Sequence, residues 1–401
     1  MKAKNIIRTA IIASVLFLSA GCVFPYNPDI KRGSEYPLVV EGDIHPGGST
    51  SVAFSYVMPF DKDEYEVPDI NVKAYVEGEN GARVSGEDPT LNNSRLTLTF
   101  DTSALPSGQK YRLHFDTTDS DGGLINSFES DWLEVTPAPV IDELSFHKDT
   151  KFSELQFAIS MHCSGAHHFR WYYLEEWEYH SQLNTYLYFD DEENKVKEYE
   201  SGQPNLYYCW NRANSSSINI FNTSDQSDDR FEDLAFYSLP LNSLRLQVMY
   251  RMTLHLESIS DESYEYWYNL DQNSQGQGSI FSPVPSSLVG NIGCITDPSV
   301  QVIGCICASV PDTKVIVYDN RKLNYYTGNG FKFDEDLHET GLDPDEWTFL
   351  YHRNYLPLEE LWADDGFSLK GYKWVKDRCV DCRRASSGSK DKPADWPTDD
   401  K

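Results

Sequence analysis

The sequence predicts a mainly β protein: an N-terminal immunoglobulin-like β-sandwich, then a second, larger antiparallel β domain with one short helix. Three observations carry this. Apolar and polar residues alternate over long stretches instead of recurring at helical spacing. Clusters of Gly, Pro, Asn and Asp break the alternation at intervals of about 8–12 residues. The 401 residues are 40% hydrophobic and 13% aromatic, enough to fill cores of that kind. The charge balance is 34 Lys+Arg against 63 Asp+Glu, a formal −29. That excludes a typical nucleic-acid binder, because phosphate recognition needs clustered Lys and Arg.

The first element is an address. Lys2, Lys4 and Arg8 precede an uncharged run of 13 residues, Thr9 to Gly21, the length of a secretory signal and too short for a membrane span. The run closes Leu18-Ser19-Ala20-Gly21-Cys22, which resembles the lipobox of bacterial lipoproteins. Small residues at Ala20 and Gly21 suit the signal peptidase, and the Cys22 thiol accepts the diacylglycerol. Ser19 departs from that pattern, since Leu is usual there and Leu18 stands one place earlier. A plain signal peptide with an incidental cysteine is the alternative. Residues 1–21 are expected to be the signal peptide, with Cys22 the lipid attachment site and 22–35 an extended tether containing Pro25 and Pro28.

Strands follow in order. Pro37 to Ile44 and Thr50 to Val57 open. Ile70, Val72, Ala74 and Val76 then share a face, as do Leu96, Leu98 and Phe100, and Tyr111, Leu113 and Phe115. Turn chemistry separates them at Pro46-Gly-Gly48, Gly78-Glu-Asn-Gly81, Pro106-Ser-Gly108 and Asp119-Ser-Asp-Gly-Gly123. About seven short strands in about 100 residues mark residues 36–137 as the sandwich. Pro137-Ala-Pro139 supplies the boundary. In the second domain, 138–384, Leu155, Phe157 and Ile159 alternate, His168 to Tyr179 is dense in aromatics, and Leu244 to Leu256 reads as one long half-buried strand. Ser260 caps the helix, Asp261 and Glu262 suit its positive end, and Tyr264, Trp267 and Tyr268 form its stripe up to about Asn273. Residues 385–401 are Ser-, Gly-, Lys- and Asp-rich and predict a flexible tail.

Leu38-Val-Val-Glu-Gly42 soon after the lipobox, Tyr207-Tyr-Cys-Trp210, Tyr264-Glu-Tyr-Trp267, Gly278-Ser-Ile-Phe-Ser-Pro-Val-Pro-Ser286 with Gly290-Asn-Ile292, and Cys379-Val-Asp-Cys-Arg383 with Trp396 form an ordered set. Together they resemble the outer-membrane lipoproteins grouped as domain-of-unknown-function family 4249. The resemblance implies an outer-membrane location and association with a TonB-dependent receptor; it implies no activity. Gly304-Cys-Ile-Cys-Ala308 departs from the family, which prefers an aromatic after that glycine. Of eight cysteines, seven remain beside Cys22, and an exported chain makes disulfides the default. Spacing leaves their pairing open. The resemblance singles out Cys209, Cys294, Cys379 and Cys382 as two bridges fastening the C-terminal segment. A Cys379-x-x-Cys382 redox pair, or a zinc site with Cys305 and Cys307, are weaker readings.

Chemistry is sparse. His162, Cys163, His167 and His168 form the best metal-like cluster, set against a loop with solvated imidazoles. Asp119 and Asp121 fit a hairpin turn better than a calcium loop, and the acidic runs at Asp190, Asp334 and Asp343 fit solvated loops. Trp171, Trp177, Trp210, Trp267, Trp347 and Trp362 are sugar- or peptide-stacking candidates or core. No Gly-x-Ser-x-Gly, His-Glu-x-x-His or phosphate-loop pattern appears, and no cofactor is implied. The expectation is a non-enzymatic lipoprotein, anchored in the outer membrane and displayed at the cell surface. It would act as accessory or ligand-capture partner of a TonB-dependent transporter, binding a small molecule, glycan or peptide. A structural or adhesive surface protein is the alternative, and a hydrolase a more distant one.

Overall fold

A computed structural model describes residues 37–57, 70–200, 205–275, 288 and 290–397. The signal peptide, the tether with Cys22 and the Gly278–Ser286 motif lie outside the described residues.

The first sandwich is made by β1 (Leu38–Asp43), β2 (Ser49–Tyr56), β3 (Val72–Gly78), β4 (Arg83–Ser85), β5 (Glu87–Asn92), β6 (Arg95–Asp101), β7 (Tyr111–Thr118) and β8 (Leu124–Ser130). The alternation read from the sequence buries one face of each central strand, as in β7, where Tyr111, Leu113 and Phe115 are inaccessible. Hydrogen bonding orders the strands β1-β2-β6-β5 in one sheet and β8-β7-β3-β4 in the other. In immunoglobulin lettering these are A-B-E-D and G-F-C-C′. Phe54 meets Phe115 edge-on at 5.0 Å between the sheets, and Phe115 stacks on Phe128 at 4.7 Å. The Tyr111 hydroxyl donates to the Pro106 carbonyl, the tyrosine corner of this fold. The Asp119–Gly123 segment is the expected turn: Asp119 Oδ1 accepts from the Asp121 and Gly123 amides at 3.0 and 2.7 Å.

The second domain repeats the plan. Its strands are β9 (Val140–Asp149), β10 (Glu154–His162), β11 (His168–His180), β12 (Leu187–Asp190), β13 (Lys195–Glu198), β14 (Tyr208–Asn214), β15 (Ile220–Asn222), β16 (Arg230–Pro240) and β17 (Met249–Ser258). Helix α1 (Asp261–Gln275), β18 (Ile292–Cys294), β19 (Val302–Ile303) and β20 (Asp312–Asp319) complete it. One sheet runs β16-β10-β9 and the other β14-β11-β17-β20, with β15 also on β11. These are E-B-A and C′-C-F-G, the same sandwich without a D strand. Aromatic side chains fill the space between, Phe157, Phe169, Tyr179 and Tyr250 among them. Leu244–Leu246 does not belong to the long strand: Ser243 Oγ accepts from the Arg245 amide and starts a short 3₁₀ turn that sinks Leu246, so β17 begins at Met249.

The chain does not respect the Pro137–Pro139 boundary twice. The connection between strands F and G of the second sandwich carries α1 and then returns to the first one. There β18 pairs antiparallel with β8, Cys294 opposite Phe128, and β19 pairs parallel with β1, Val302 opposite Leu38. Residues 292–308, expected in the second domain, therefore complete both sheets of the first.

After α2 (Asn320–Leu323), which stays on the second sandwich, a third, smaller lobe holds β21 (His338–Thr340), α3 (Pro344–Tyr351), β22 (Tyr355–Trp362), β23 (Leu369–Lys376) and α4 (Asp377–Val380), and α5 (Cys382–Ser386) leads back to β14. Trp374, Trp347, Tyr355 and Phe189 make its core with the β12–β13 hairpin. The run read as an acidic loop, Asp343-Pro-Asp-Glu346, is instead the start of α3: Asp343 accepts from the Asp345 amide and Pro344 takes the first turn. The tail beyond 384 is also corrected. Ser389 exchanges two backbone hydrogen bonds with Trp210, at 2.9 and 2.8 Å, and Trp396 is buried, so residues 387–396 form a strap tied to β14.

Candidate functional site

The two sandwiches meet at a buried charge cluster. Asp43 ends β1 and His45 follows it, while Arg170 on β11 and Glu257 on β17 are cross-strand partners. Arg170 donates to Asp43 Oδ2 and to Glu257 Oε1, with Nε at 2.8 Å from the latter. Its guanidinium lies 4.9 Å from the Trp267 ring of α1. Asp43 Oδ1 accepts from the Cys307 amide at 3.0 Å, and Glu257 Oε2 accepts from the Ser309 hydroxyl. His45 Nε2 stands 3.4 Å from Glu257 Oε2 and has no aligned hydrogen-bond partner.

Electrostatics follow from burial. Burial pushes the Asp43 carboxyl up to about 6 against the pull of Arg170. At Glu257 burial acts the same way, but Arg170 and His45 outweigh it and hold the carboxyl down at about 2. Burial works against a charged His45, and Glu257 with Asp43 still carries it above its ordinary value.

Asp43, His45 and Glu257 are the group among the described residues whose donor atoms lie within 4.8 Å of one another, as a metal site would require. The donor set does not suit one. Both carboxylates are spent on Arg170, Ser309 and the Cys307 amide, and the guanidinium already fills the cationic place. The cluster works as an ionic bolt between two domains. It offers no free carboxylate oxygen to act as general acid, base or ligand.

Beside it opens a cleft of about 670 Å³ between the 131–137 linker and the start of α1, within the size range of small-ligand sites. Lys110, Asp131, Trp132, His167, Asp261 and Glu262 line it. Lys110 is paired with Glu134 at 2.8 Å, Asp261 with His168 at 2.9 Å, and the half-exposed Trp132 carries the Arg112 guanidinium 4.6 Å from its ring.

The sequence-derived candidates are scattered. His162 pairs with Asp142 at 3.0 Å, His168 stacks on Tyr264 at 4.2 Å beside its Asp261 partner, and His167 lies exposed in the cleft. No group of donor atoms close enough to hold a metal includes any of the three among the described residues. Cys209 and Cys382 form a disulfide across a separation of 173 residues. The second expected bridge is absent: Cys294 lies in the first sandwich and Cys379 in the third lobe, both buried and free, as are Cys163, Cys305 and Cys307. Burial pushes the Cys305 and Cys307 thiols up to about 11 and about 12, so neither is a ready thiolate. Of the tryptophans, Trp177 and Trp347 are core, Trp171 packs on it and Trp267 backs Arg170, leaving Trp210 and the exposed Trp362. Asp43, Arg170 and Glu257 escaped the sequence reading. Their one signal was a charge placed among apolar and aromatic neighbours on predicted strands.

Fold and site define a tandem immunoglobulin-like β-sandwich protein with an ion-bolted junction. It belongs to the family described as a domain of unknown function, DUF4249, whose model matches residues 23–315. No curated protein matches it. Similar solved structures include a DUF4785 family protein from Legionella pneumophila, 14% identical over 54% of this chain and 51% of that one, TM-score 0.20. The chain thus spans about half of that protein. Others are a structure of neurohormone perception by the receptor tyrosine kinase Torso (10%, 56% and 70%, 0.19) and a tetra-tandem repeat from the extending region of a large adhesion protein (12%, 56% and 45%, 0.18). Scores this low decide nothing about the present chain.

Proposed function

We propose that this is a non-enzymatic, lipid-anchored outer-membrane protein that serves a TonB-dependent transporter as accessory or ligand-capture partner. The single observation that carries the reading is a preformed cleft at a junction whose two buried carboxylates, Asp43 and Glu257, are both engaged in holding it. A binding module needs such a fixed concavity; a hydrolase needs a carboxylate pair free to move protons. Asp43 and Glu257 are the perturbed pair, and their oxygens are taken. The Leu18–Cys22 signal supports the anchor, and the family resemblance supports the transporter. Two measurements test this. Cys22→Ser is expected to release the protein from the outer-membrane fraction. The lipidated wild type is expected to co-purify with a β-barrel receptor in mild detergent, and its repeated recovery without one overturns the partnership.

An adhesive role has one observation in its favour, the exposed Leu124 and Ile125 of β8 near the exposed Ile295. Under that reading Ile125→Asp reduces cell or matrix binding and leaves receptor co-purification unchanged.

A further inference from the structure

We propose that a second cleft, between the outer face of the β14-β11-β17-β20 sheet and the C-terminal strap, binds a small acidic sugar of hexuronate size. This goes beyond the transporter reading and does not depend on it. The cleft measures about 600 Å³, and Leu174, Trp210, Arg212, Arg251, Thr253 and Lys392 are among its lining residues.

Its outer wall is fixed by several independent ties. The Cys209–Cys382 disulfide holds the base of the strap, and Trp210 and Ser389 exchange backbone hydrogen bonds. Lys390 donates to the carbonyls of Asn205 and Tyr208. Arg251 donates to the carbonyls of Ala394 and Asp395 at 3.1 Å each, and the Trp396 ring lies 5.3 Å from that guanidinium. Trp396 Nε1 donates to Glu178 at 3.2 Å. A wall held this way presents a preorganised pocket instead of a transient crevice.

Charge points to the ligand. Arg251 is neutralised by Glu176, with Nε 2.8 Å from Oε2. Arg212 and Lys392 have no carboxylate partner among the described residues, and the neighbouring Asp391 accepts from the Ser389 hydroxyl at 2.8 Å. Three cations, Arg212, Arg251 and Lys392, therefore face two carboxylates, Glu176 and Asp391, and the cleft keeps a net positive charge in a chain whose formal charge is −29. A positive pocket on so acidic a chain favours an anionic ligand. The rest of the lining favours a sugar over a bare oxyanion. Trp210 and Leu174 supply apolar surface, and Asn211, Thr253 and Ser387 supply amide and hydroxyl groups that suit a polyol.

Calorimetric titration of the full lipidated chain in detergent at low ionic strength, with glucuronate, glucose and inorganic phosphate, tests the proposal. Glucuronate is expected to bind at least about tenfold more tightly than either of the others, tenfold being the worth of one charge-assisted contact. Arg212→Gln and Lys392→Gln lie on the surface and are expected to keep the wild-type Tm while each weakens glucuronate by about tenfold. Added salt is expected to weaken it further. Undiminished binding by both variants overturns the site. Equal binding of phosphate overturns the sugar, and equal binding of glucose overturns the requirement for charge. None of these results involves a receptor, so they are separable from failure of the transporter reading.

Discussion

Arg170 holds two buried carboxylates, and its removal strands both. Arg170→Met is expected to cost about 3–5 kcal/mol, because an uncompensated buried charge is worth far more than a lost surface pair. Replacing Asp43, Arg170 and Glu257 together with apolar residues of like size is expected to recover most of that loss. Denaturant unfolding of the two variants checks the contrast; equal losses would mean the cluster is not a closed electrostatic unit. Proton count gives a second expectation. With both carboxylates ionised and Arg170 charged, the cluster is neutral only when one more proton sits on His45 or Asp43. Both groups have raised values, so their contribution is present at low pH and lost as pH rises, through about 6 for Asp43 and beyond the ordinary 6.5 for His45. Glu257, lowered to about 2, contributes above its ordinary 4.5 and loses that as pH falls. The Tm advantage of wild type over His45→Gln is therefore expected to shrink as pH rises above the ordinary histidine value of 6.5, as linkage requires. A constant gap across that range would remove the histidine from the cluster's proton balance. None of this was legible beforehand. Arg170 and Asp43 are 127 residues apart and Arg170 and Glu257 are 87, and alternation says which face a residue takes, not what the face meets.

Elements were legible where their alternation was regular. Strands β3, β7 and β10 announce themselves because several alternate side chains agree, whereas β9 and β16, at ten and eleven residues, bury their side chains irregularly and were not read. The two- and three-residue strands β18 and β19 carry no period, so their return to the first sandwich could not be read. The helix at 261–275 was legible through its Ser260 cap, whose hydroxyl accepts from the Ser263 amide at 3.2 Å. The α3 cap had the same chemistry and was masked by its acidity. Cysteine pairing was the least legible, since it depends on Cα atoms about 6 Å apart in the finished fold. The single bridge found gives a direct count. Denatured, unreduced protein is expected to take up five alkyl groups, on Cys163, Cys294, Cys305, Cys307 and Cys379, and two more after reduction. Two bridges would lower the first figure by two. Cys209→Ser is expected to destabilise by up to about 5 kcal/mol on loop-entropy grounds and to free the strap, which limited proteolysis after Arg384 would detect.

The two sandwiches are interleaved, not merely adjacent. Ile44 and Ser309 each bond across the junction, the Ile44 amide to the Cys307 carbonyl at 2.8 Å and the Ser309 amide to the Ile44 carbonyl at 3.0 Å. The Asn291 side chain bonds Ile306 from both its oxygen and its nitrogen. The first sandwich thus lacks an edge strand in each sheet until the second has folded far enough to send 292–308 back. Gly304 is a tight point of that return. Its φ is +154°, and a Cβ there would sit 2.3 Å from the Val40 carbonyl oxygen, so Gly304→Ala strains the backbone and pries β19 off β1 at a cost of about 1–3 kcal/mol. Because the bonds are shared, that loss cannot stay in one domain. Urea unfolding followed by pulsed amide hydrogen exchange in β7 of the first sandwich and β17 of the second is expected to give coincident midpoints. Gly304→Ala is expected to lower both together. Two separated transitions, with only the β7 midpoint moved by the glycine change, would show independent domains, and the junction cleft would then have no fixed shape with which to capture anything.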